Sequence, residues 1–330
     1  MINENAAEFA GKPVQDWTAE SGIAEPEKYN YRISVDYDDK QLWTDKLAAF
    51  LDDPNAAKVT GLIVGNWGDV ATGDDPVTKV VEPLTVARER LPNLTALFLG
   101  DITSEESEIS WIVQGDLSPL LRAYPNLEHL RVRGATNLRF GALRHDHLKA
   151  LIVESGGLPV VVIREVLNAR LPALEHLELW LGTGEYGWDG SINDMQAFFD
   201  GVLFPNLRYL GLRNSEITDM IATAIASAPI MQSLETLDLS LGTLSDDGAT
   251  ALLNSPYVPR LAKLDIHHHY LSDEMVARMT TIRSERKSAA SSAASESSAS
   301  SSEFLIVDVS EGEDGTDRID VEDRYVAVGE

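Results

Sequence analysis

Histidine and carboxylate side chains recur at positions where they could do chemistry. His129 and His176 each open a short aliphatic stretch, while Glu154 and Glu178 lie within or at the end of neighbouring ones. Imidazole and carboxylate groups transfer protons and bind metal ions, so this set is compatible with an acid–base or metal-dependent reaction. We therefore keep a small-molecule or metal-dependent enzyme that uses these four residues as the alternative function.

A second set of possible metal ligands is the run His267, His268 and His269, which follows Asp265. Neighbouring side chains on a strand point to opposite faces, so only His267 and His269 would share a side. Although these residue types can bind zinc, we favour a polar last strand beneath a cap. Whether this cluster binds a metal stays open at this point.

The segment from Gly182 to Gly187 (GTGEYG) has the spacing of the dinucleotide-binding fingerprint. It follows a predicted strand and precedes a predicted helix, but no acidic residue follows at the end of a second strand. Glycines also serve a loop that rises from one side of a repeat to the other. We interpret the segment as such a loop, and we predict no catalytic, cofactor or metal site.

An eightfold repeat supplies the elements that must position these side chains. An aliphatic residue, two of any kind, an aliphatic, one of any kind and a third aliphatic recur from eight anchors: Val59, Leu94, Leu127, Leu148, Leu174, Leu207, Leu234 and Leu261. The mean spacing of about 29 residues lies at the long end for leucine-rich repeats. We predict an α/β leucine-rich-repeat solenoid, a horseshoe with a parallel concave β-sheet and convex helices, capped at both ends.

The chain divides into four predicted segments: 1–29, a loosely ordered N-terminal arm; 30–283, the solenoid with an N-terminal strand–helix cap; 284–303, a disordered Ser/Ala linker; and 304–330, an acidic C-terminal β-hairpin cap. The linker cannot bury enough apolar area to offset its chain entropy. The repeat from Leu127 to Leu148 spans only 21 residues. That length predicts no full return helix there.

Composition excludes several function classes. The chain has 330 residues, a net charge of −26 and no cysteine. It therefore has no disulfide, cysteine-ligated metal or cysteine nucleophile. The negative field repels nucleic acids and anionic membranes, and no apolar run approaches the roughly 20 residues that span a bilayer. We expect a cytoplasmic protein with no nucleic-acid or membrane partner.

The outward strand positions, which lie 2, 4, 6 and 7 residues past each anchor, define the predicted concave face. Arg133, Glu154, Trp180 and Arg213 should form one row across four strands. Trp, Tyr and Arg often dominate binding energy, and we expect Trp180 and Tyr209 to be exposed. The partner-binding candidates are His129, Arg131, Arg133, Glu154, His176, Glu178, Trp180, Tyr209 and Arg213, with Trp188 on a long loop.

These candidates favour a non-enzymatic scaffold that binds a protein or peptide. In the competing interpretation, Glu154 and Glu178 only neutralise the neighbouring arginines, and together they form a solvent-exposed row of paired charges that binds no partner. The loop that carries Trp188 either forms a binding rim or packs down and closes on itself. The sequence leaves both alternatives open.

Four segments carry a resemblance to a known family: ALFLGDIT at 96–103, EISWI at 108–112, LEHLELWLG at 174–182 and HHY at 268–270. They resemble bacterial, often actinobacterial, leucine-rich-repeat proteins described only as hypothetical cytoplasmic proteins, with ribonuclease-inhibitor-like repeats. One departure is that no repeat has Asn or Cys eight residues past its anchor. The resemblance implies the repeat fold, the cytoplasm and a role beside a modification pathway, because members are often encoded near radical-SAM and ATP-grasp proteins. It implies no catalytic residues.

Overall fold

A computed structural model describes residues 2–36, 39–71, 77–282, 305–310 and 324–329 of the chain. The predicted Ser/Ala linker at 284–303 lies outside the described residues, as does most of the acidic segment that follows it.

The protein is an α/β structure built on one open sheet, in which every strand pairs with its neighbours in chain order. All pairings are parallel except that of β1 with β2. The strands within the described residues are β1 (Glu8–Phe9), β2 (Lys12–Asp16), β3 (Asn30–Ile33), β4 (Gly61–Val64), β5 (Ala96–Leu99), β6 (His129–Arg133), β7 (Ala150–Glu154), β8 (His176–Gly182), β9 (Tyr209–Ser215), β10 (Thr236–Asp238), β11 (Lys263–Asp265) and β12 (Ile306–Asp308).

The repeated aliphatic residues form the core of the sheet. Each strand from β4 to β11 begins two residues after one of the eight anchors. All 24 fixed aliphatic side chains are at most 5% exposed, and all belong to one hydrophobic cluster. Side chains two apart on a strand share a face, so the second and third aliphatics of each repeat point to the same side. The predicted core is confirmed.

The connections between successive strands contain short α-helices, because several of their turns are 3₁₀ or π rather than α. Among the described residues before 273, the α-helices are α1 (Trp43–Asp52), α2 (Glu82–Val86), α3 (Ser118–Ala123), α4 (Val160–Leu167), α5 (Gln196–Phe199), α6 (Thr218–Ile225) and α7 (Asp246–Leu253). Residues 273–282 are also helical, whereas 134–149 contain no helix, as the short repeat predicts. Among the described residues, no helix is long and apolar enough to cross a membrane.

The N-terminal arm is packed against the sheet, so the expectation of a loosely ordered segment at 1–29 is wrong. Strand β2 pairs with β3, and β1 folds back on β2. Phe9, Trp17 and Ile23 are buried. Sheet pairing satisfies the backbone of the arm, and apolar burial offsets the loss of chain entropy.

The predicted hairpin between 304–309 and 324–328 is also wrong for the described residues. Strand β12 pairs in parallel with β11 and so extends the sheet by one strand. Residues 324–329, which we call the return segment, contact the sheet near β9 instead. The physical reason is that Val328 finds an apolar site there, beside Ile109 and Trp180.

Gly182 provides a test of the packing between strand ends. Its φ is +72°, and a Cβ there would lie 1.7 Å from the Gly156 carbonyl oxygen. We expect Gly182→Ala to lower the free energy of unfolding by at least about 1–3 kcal/mol, because it adds a clash to a strained backbone. Gly184→Ala is the matched control, since its Cβ would meet nothing nearer than 3.6 Å. Equal urea midpoints for the two variants would contradict this assignment.

Candidate binding surface

The sheet has a second face opposite the core, which we call the front face and which corresponds to the predicted concave face. Parallel register aligns its side chains in rows across strands about 4.8 Å apart. The first row is His129, Ala150, His176 and Tyr209, and the second is Arg131, Ile152, Glu178 and Gly211. Arg133 pairs with Glu154 and Trp180 with Arg213, as the predicted third row requires.

An ion-pair network joins the arginines of β6 to buried carboxylates. Arg133 Nε donates to Glu154 Oε2 at 2.7 Å, and Arg131 Nε donates to Glu154 Oε1 at 2.8 Å. Arg133 also lies 3.3 Å from the Asp101 carboxylate, which accepts a 2.7 Å hydrogen bond from Arg32. Burial opposes ionisation of Glu154, but the charges of Arg133 and Arg131 outweigh it and lower its pKa.

The burial of this network contradicts part of the binding prediction. Arg133 is 2% exposed and Glu154 is 1% exposed, so neither can contact a partner directly. Their polar groups bind each other because a buried charge is costly unless it is paired and hydrogen-bonded. The competing interpretation of neutralised arginines is therefore right about the pairing, but the pair is buried rather than solvated.

Glu178 organises a second network on β8 to β10. Its Oε1 accepts hydrogen bonds from Trp180 Nε1 at 2.7 Å and from Arg213 Nη1 at 2.8 Å. Its Oε2 lies 3.1 Å from the Tyr209 hydroxyl and 3.4 Å from His176 Nε2. Burial opposes the charge of Glu178, but the adjacent side chains of His176, Arg213 and Trp180 together hold its pKa well below the usual range.

Tyr209 is held flat against its neighbours by the same network. Its hydroxyl donates to Asp238 Oδ2 at 2.6 Å, and its ring stacks on His176 with 3.8 Å between centroids. Gly211 makes room for this, since a Cβ there would lie 3.0 Å from the Tyr209 ring. Burial, followed by the charges of Glu178 and Asp238, raises the pKa of Tyr209. The hydroxyl therefore stays neutral and acts as a hydrogen-bond donor.

The four residues of the alternative enzyme do not form one reactive group. Glu154 is engaged by two arginines and Glu178 by four neighbours. His129 and His176 lie two strands apart, roughly 10 Å by the usual strand spacing. Burial, followed by the charges of Lys149 and His176, lowers the pKa of His129. Its imidazole is therefore neutral near pH 7 and suited to hydrogen bonding.

The N-terminal arm covers the front face of β4 and β5. Phe9 packs on Phe98 with 5.7 Å between ring centroids, in a cluster with Ile63 and Ala96. The Asp101 carboxylate accepts the backbone N–H of Ala6 at 3.1 Å. The apolar residues at the outward positions of the first repeats are therefore the contact surface of the arm.

The return segment covers another part of the front face, near β8 and β9. Val328 packs with Trp180 and Ile109, and Ile2 of the arm borders the same cluster. Trp180 is only 7% exposed, so the expectation that it presents apolar area to a partner is wrong in this conformation. Parts of both ends of the described chain therefore meet above one tryptophan.

Trp188 belongs to the core rather than to a binding rim. It is buried in the main hydrophobic cluster, and the adjacent Asp189 carboxylate accepts the Val160 N–H at 2.6 Å. The loop after Gly182 thus packs down on itself, and its glycines allow backbones to approach closely. This contradicts the selection of Trp188 as a partner-binding residue.

The histidine run near β11 does not behave as a continuing strand, because β11 ends at Asp265 and His268 has a φ of +54°. Asp265, His267 and Asp308 are the one group of three within metal-ligand distance among the described residues. Lys263 Nζ lies 2.6 Å from Asp265 Oδ2 and 4.0 Å from Asp308 Oδ2. The lysine supplies the positive charge there, so the geometry does not favour a metal ion.

An accessible area remains between the two covers. We define the central patch as His129, Arg131, Ile152, His176 and Tyr209, all of which are half-buried. Four of these are predicted candidates, whereas Ile152 was an outward position that the prediction did not select. Asp101 and Asn214 were passed over in the same way. Asn214 carries a recognisable signal, a polar side chain at a strand end in an aliphatic repeat.

The chain is similar to a Bacteroides fragilis protein of known crystal structure. The two are 35% identical, the match covers 76% of this chain and 71% of the other, and the TM-score is 0.71. The chain therefore belongs to the same family as that bacterial protein. An internalin from Listeria monocytogenes is 12% identical over 77% of this chain and 65% of its own, with a TM-score of 0.35, which carries no argument. No protein-family model and no curated protein matches the chain.

The Glu178 network predicts a specific dependence of stability on pH. Its folded pKa lies below the ordinary value of 4.5, so the unfolded state takes up the proton first as pH falls. The carboxylate therefore contributes stability that is present above about pH 4.5 and is lost as pH falls towards the folded pKa. We expect Glu178→Gln to cost about 3 kcal/mol at pH 7 and to flatten the loss of stability below pH 4.5.

Urea unfolding of the unmodified chain and the variant between about pH 7 and pH 3 measures this effect. Glu185→Gln, on an exposed loop position, is the control and should leave the pH profile unchanged. A Glu178→Gln profile parallel to that of the unmodified chain would show that this carboxylate is not stabilised in the folded state.

Proposed function

We propose that this chain, which belongs to the family of the Bacteroides fragilis protein, is a non-enzymatic scaffold that recognises a protein or peptide. We further propose that its open sheet is the concave side of a leucine-rich-repeat horseshoe of the ribonuclease-inhibitor type. Eight strands that start at a constant offset from eight aliphatic anchors support this fold.

The observation that carries the proposal is the central patch. It is accessible while the front face on either side is covered by the arm and the return segment. Its side chains are held in place, because Tyr209 stacks on His176 and Arg131 is paired with Glu154. Groups that are already ordered lose little entropy on binding, which favours recognition by a rigid surface.

The charges of the front face favour a polypeptide as the partner. In the two networks, four arginines are paired with five carboxylates; the arginines are Arg32, Arg131, Arg133 and Arg213, and the carboxylates are Asp16, Asp101, Glu154, Glu178 and Asp238. The surface is thus close to neutral in a chain whose net charge is −26. A nucleic acid would be repelled by the rest of the molecule, whereas a neutral face lined with aromatic and aliphatic groups suits a peptide.

Support for a non-enzymatic role comes from the pairing of the carboxylates. A general base needs a free lone pair within reach of a substrate proton, and Glu154 and Glu178 are both engaged by arginine. We propose a cytoplasmic role as accessory to a bacterial modification pathway. That part is supported by the resemblance of the four quoted segments.

A pair of apolar-to-lysine substitutions tests the proposal. Ile152→Lys places a charge in the central patch, and Met220→Lys, on the exposed face of α6, is the matched control. We expect the Ile152 variant to recover its co-purifying partner from the source cells about tenfold less well, because a buried unpaired charge is costly at an interface. The Met220 variant should recover it fully. Equal recovery by both variants, with similar melting temperatures, would place the partner site elsewhere.

A further inference from the structure

The return segment is bound to the front face through its backbone. The Asn214 side chain donates from Nδ2 to the Val328 carbonyl oxygen at 2.5 Å, and Asn214 Oδ1 accepts the Val328 N–H at 2.9 Å. One residue earlier in the return segment, the Ala327 N–H donates to the Leu241 carbonyl oxygen of the next repeat at 2.9 Å. An amide that pairs with both the backbone N–H and the carbonyl of one residue recognises extended backbone rather than a particular side chain.

Asn214 is prepared for this contact before any ligand is considered. It is fully buried, and its φ is +52°, a left-handed conformation that Asn adopts more readily than most other residues. Positive φ recurs seven residues past the anchor at Gly134, Leu241 and His268, so the left-handed turn belongs to the repeat. Asn214 is the residue at this turn whose carboxamide pairs with the backbone of the return segment.

The side chains of the return segment occupy two complementary places. Val328 lies against Trp180 and Ile109, and Ala327 packs in the same cluster. At Gly329 a Cβ would lie 2.8 Å from the Tyr186 ring, and a Cβ on Gly156 would lie 2.2 Å from the Gly329 carbonyl oxygen. The groove therefore accepts a small residue, an aliphatic residue and a glycine in that order.

We propose that this groove, formed by Asn214, Trp180, Ile109, Leu241 and Tyr186, is a binding site for extended peptides with a small–aliphatic–glycine sequence. Residues 324–329 occupy it in cis and compete with a partner peptide that carries the same pattern. This inference rests on the proposed function, and it adds to the central patch a second contact site for the partner, with the class of peptide that binds there and its regulation. It makes the exposure of Trp180, expected from the sequence, a property of the state in which the return segment has left.

The return segment competes with a free peptide as part of the same chain. Thirteen residues, 311–323, join the last described residue after β12 to the return segment. A short tether gives an effective concentration on the order of millimolar. A free peptide of equal intrinsic affinity must exceed that concentration to displace the segment. The partner peptide therefore binds only when it is locally concentrated or when the segment is drawn away.

The full chain with Val328→Asp tests the inference, because a carboxylate cannot enter the apolar site and the segment should leave. We expect isothermal titration calorimetry to show binding of a synthetic peptide RYVAVGE, the sequence of residues 324–330, to this variant. The unmodified chain should bind the peptide at least about tenfold more weakly, since its own segment competes. The same peptide with Asp at the Val328 position is the control and should not bind.

A second substitution tests the hydrogen bonds between Asn214 and the peptide backbone. Asn214→Gly in the Val328→Asp chain retains a residue that tolerates positive φ. It removes both hydrogen bonds to the peptide backbone, together with the 3.3 Å hydrogen bond from Asn214 to the Ser155 carbonyl oxygen. We expect it to weaken peptide binding by about tenfold or more, because the hydrogen bonds to the peptide backbone are lost. Unchanged peptide affinity would show that Asn214 does not recognise the backbone.

Failure to bind the peptide would overturn the inference and assign the return segment to a purely structural role. If Val328→Asp prevents folding, Gly329→Val serves as the releasing variant, because its side chain would clash with Tyr186. Loss of the partner from the Ile152→Lys variant without peptide binding would overturn this inference alone. Retention of the partner by that variant would overturn the proposed function, whatever the peptide does.

Discussion

Burial of the same three aliphatic positions in each repeat is the constraint on which the structure depends. A strand whose second and third aliphatics enter the core must turn its intervening residues to the opposite face. Eight strands that obey this rule in parallel register place equivalent front-face residues side by side. The rows of arginine, glutamate and aromatic residues are therefore a consequence of how the core is filled.

The charged residues in these rows must be paired with one another where they are buried. Arg133 and Glu154 are buried beside one another, and each would be costly to bury alone. Pairing removes most of that cost, and it also leaves these side chains without free donors or acceptors for a partner. Recognition is thereby left to groups at the margins of the networks, namely the half-buried central patch and the amide of Asn214.

The front face is also partly covered by the chain itself. Phe9 of the arm and Val328 of the return segment cover apolar residues that the repeat pattern places outside the core. Such residues would otherwise form an exposed apolar patch, which in soluble proteins usually marks an interaction site. The return segment forms no strand of the sheet and is held by hydrogen bonds to Asn214, Leu241 and Tyr270, so it is the cover that a partner can displace. A cover with many contacts, as the arm has through β2, is a permanent part of the fold.

The repeat pattern was sufficient to predict the core, the parallel strands and the front-face rows. Local periodicity determines these features, because each repeat states which side chains point inward. Sequence reasoning could not predict that Trp180 is covered, since its cover, Val328, is 148 positions later in the chain. It also treated Arg133 and Trp188 as accessible, because whether an outward or loop residue is buried depends on contacts between distant segments. Ile63 and Phe98 were a usable signal that another segment packs on the front face, because apolar residues at outward strand positions would otherwise be exposed.

The proposed peptide site requires that the return segment be a releasable ligand of the groove rather than a fixed part of the fold. Native-state hydrogen exchange of the Ala327 and Val328 amides tests this most directly, because both donate hydrogen bonds to the groove. We expect these amides to be protected, yet to open with a free energy well below that of the core amides of β8 and without global unfolding. Exchange of both amides only at the rate of global unfolding would contradict it.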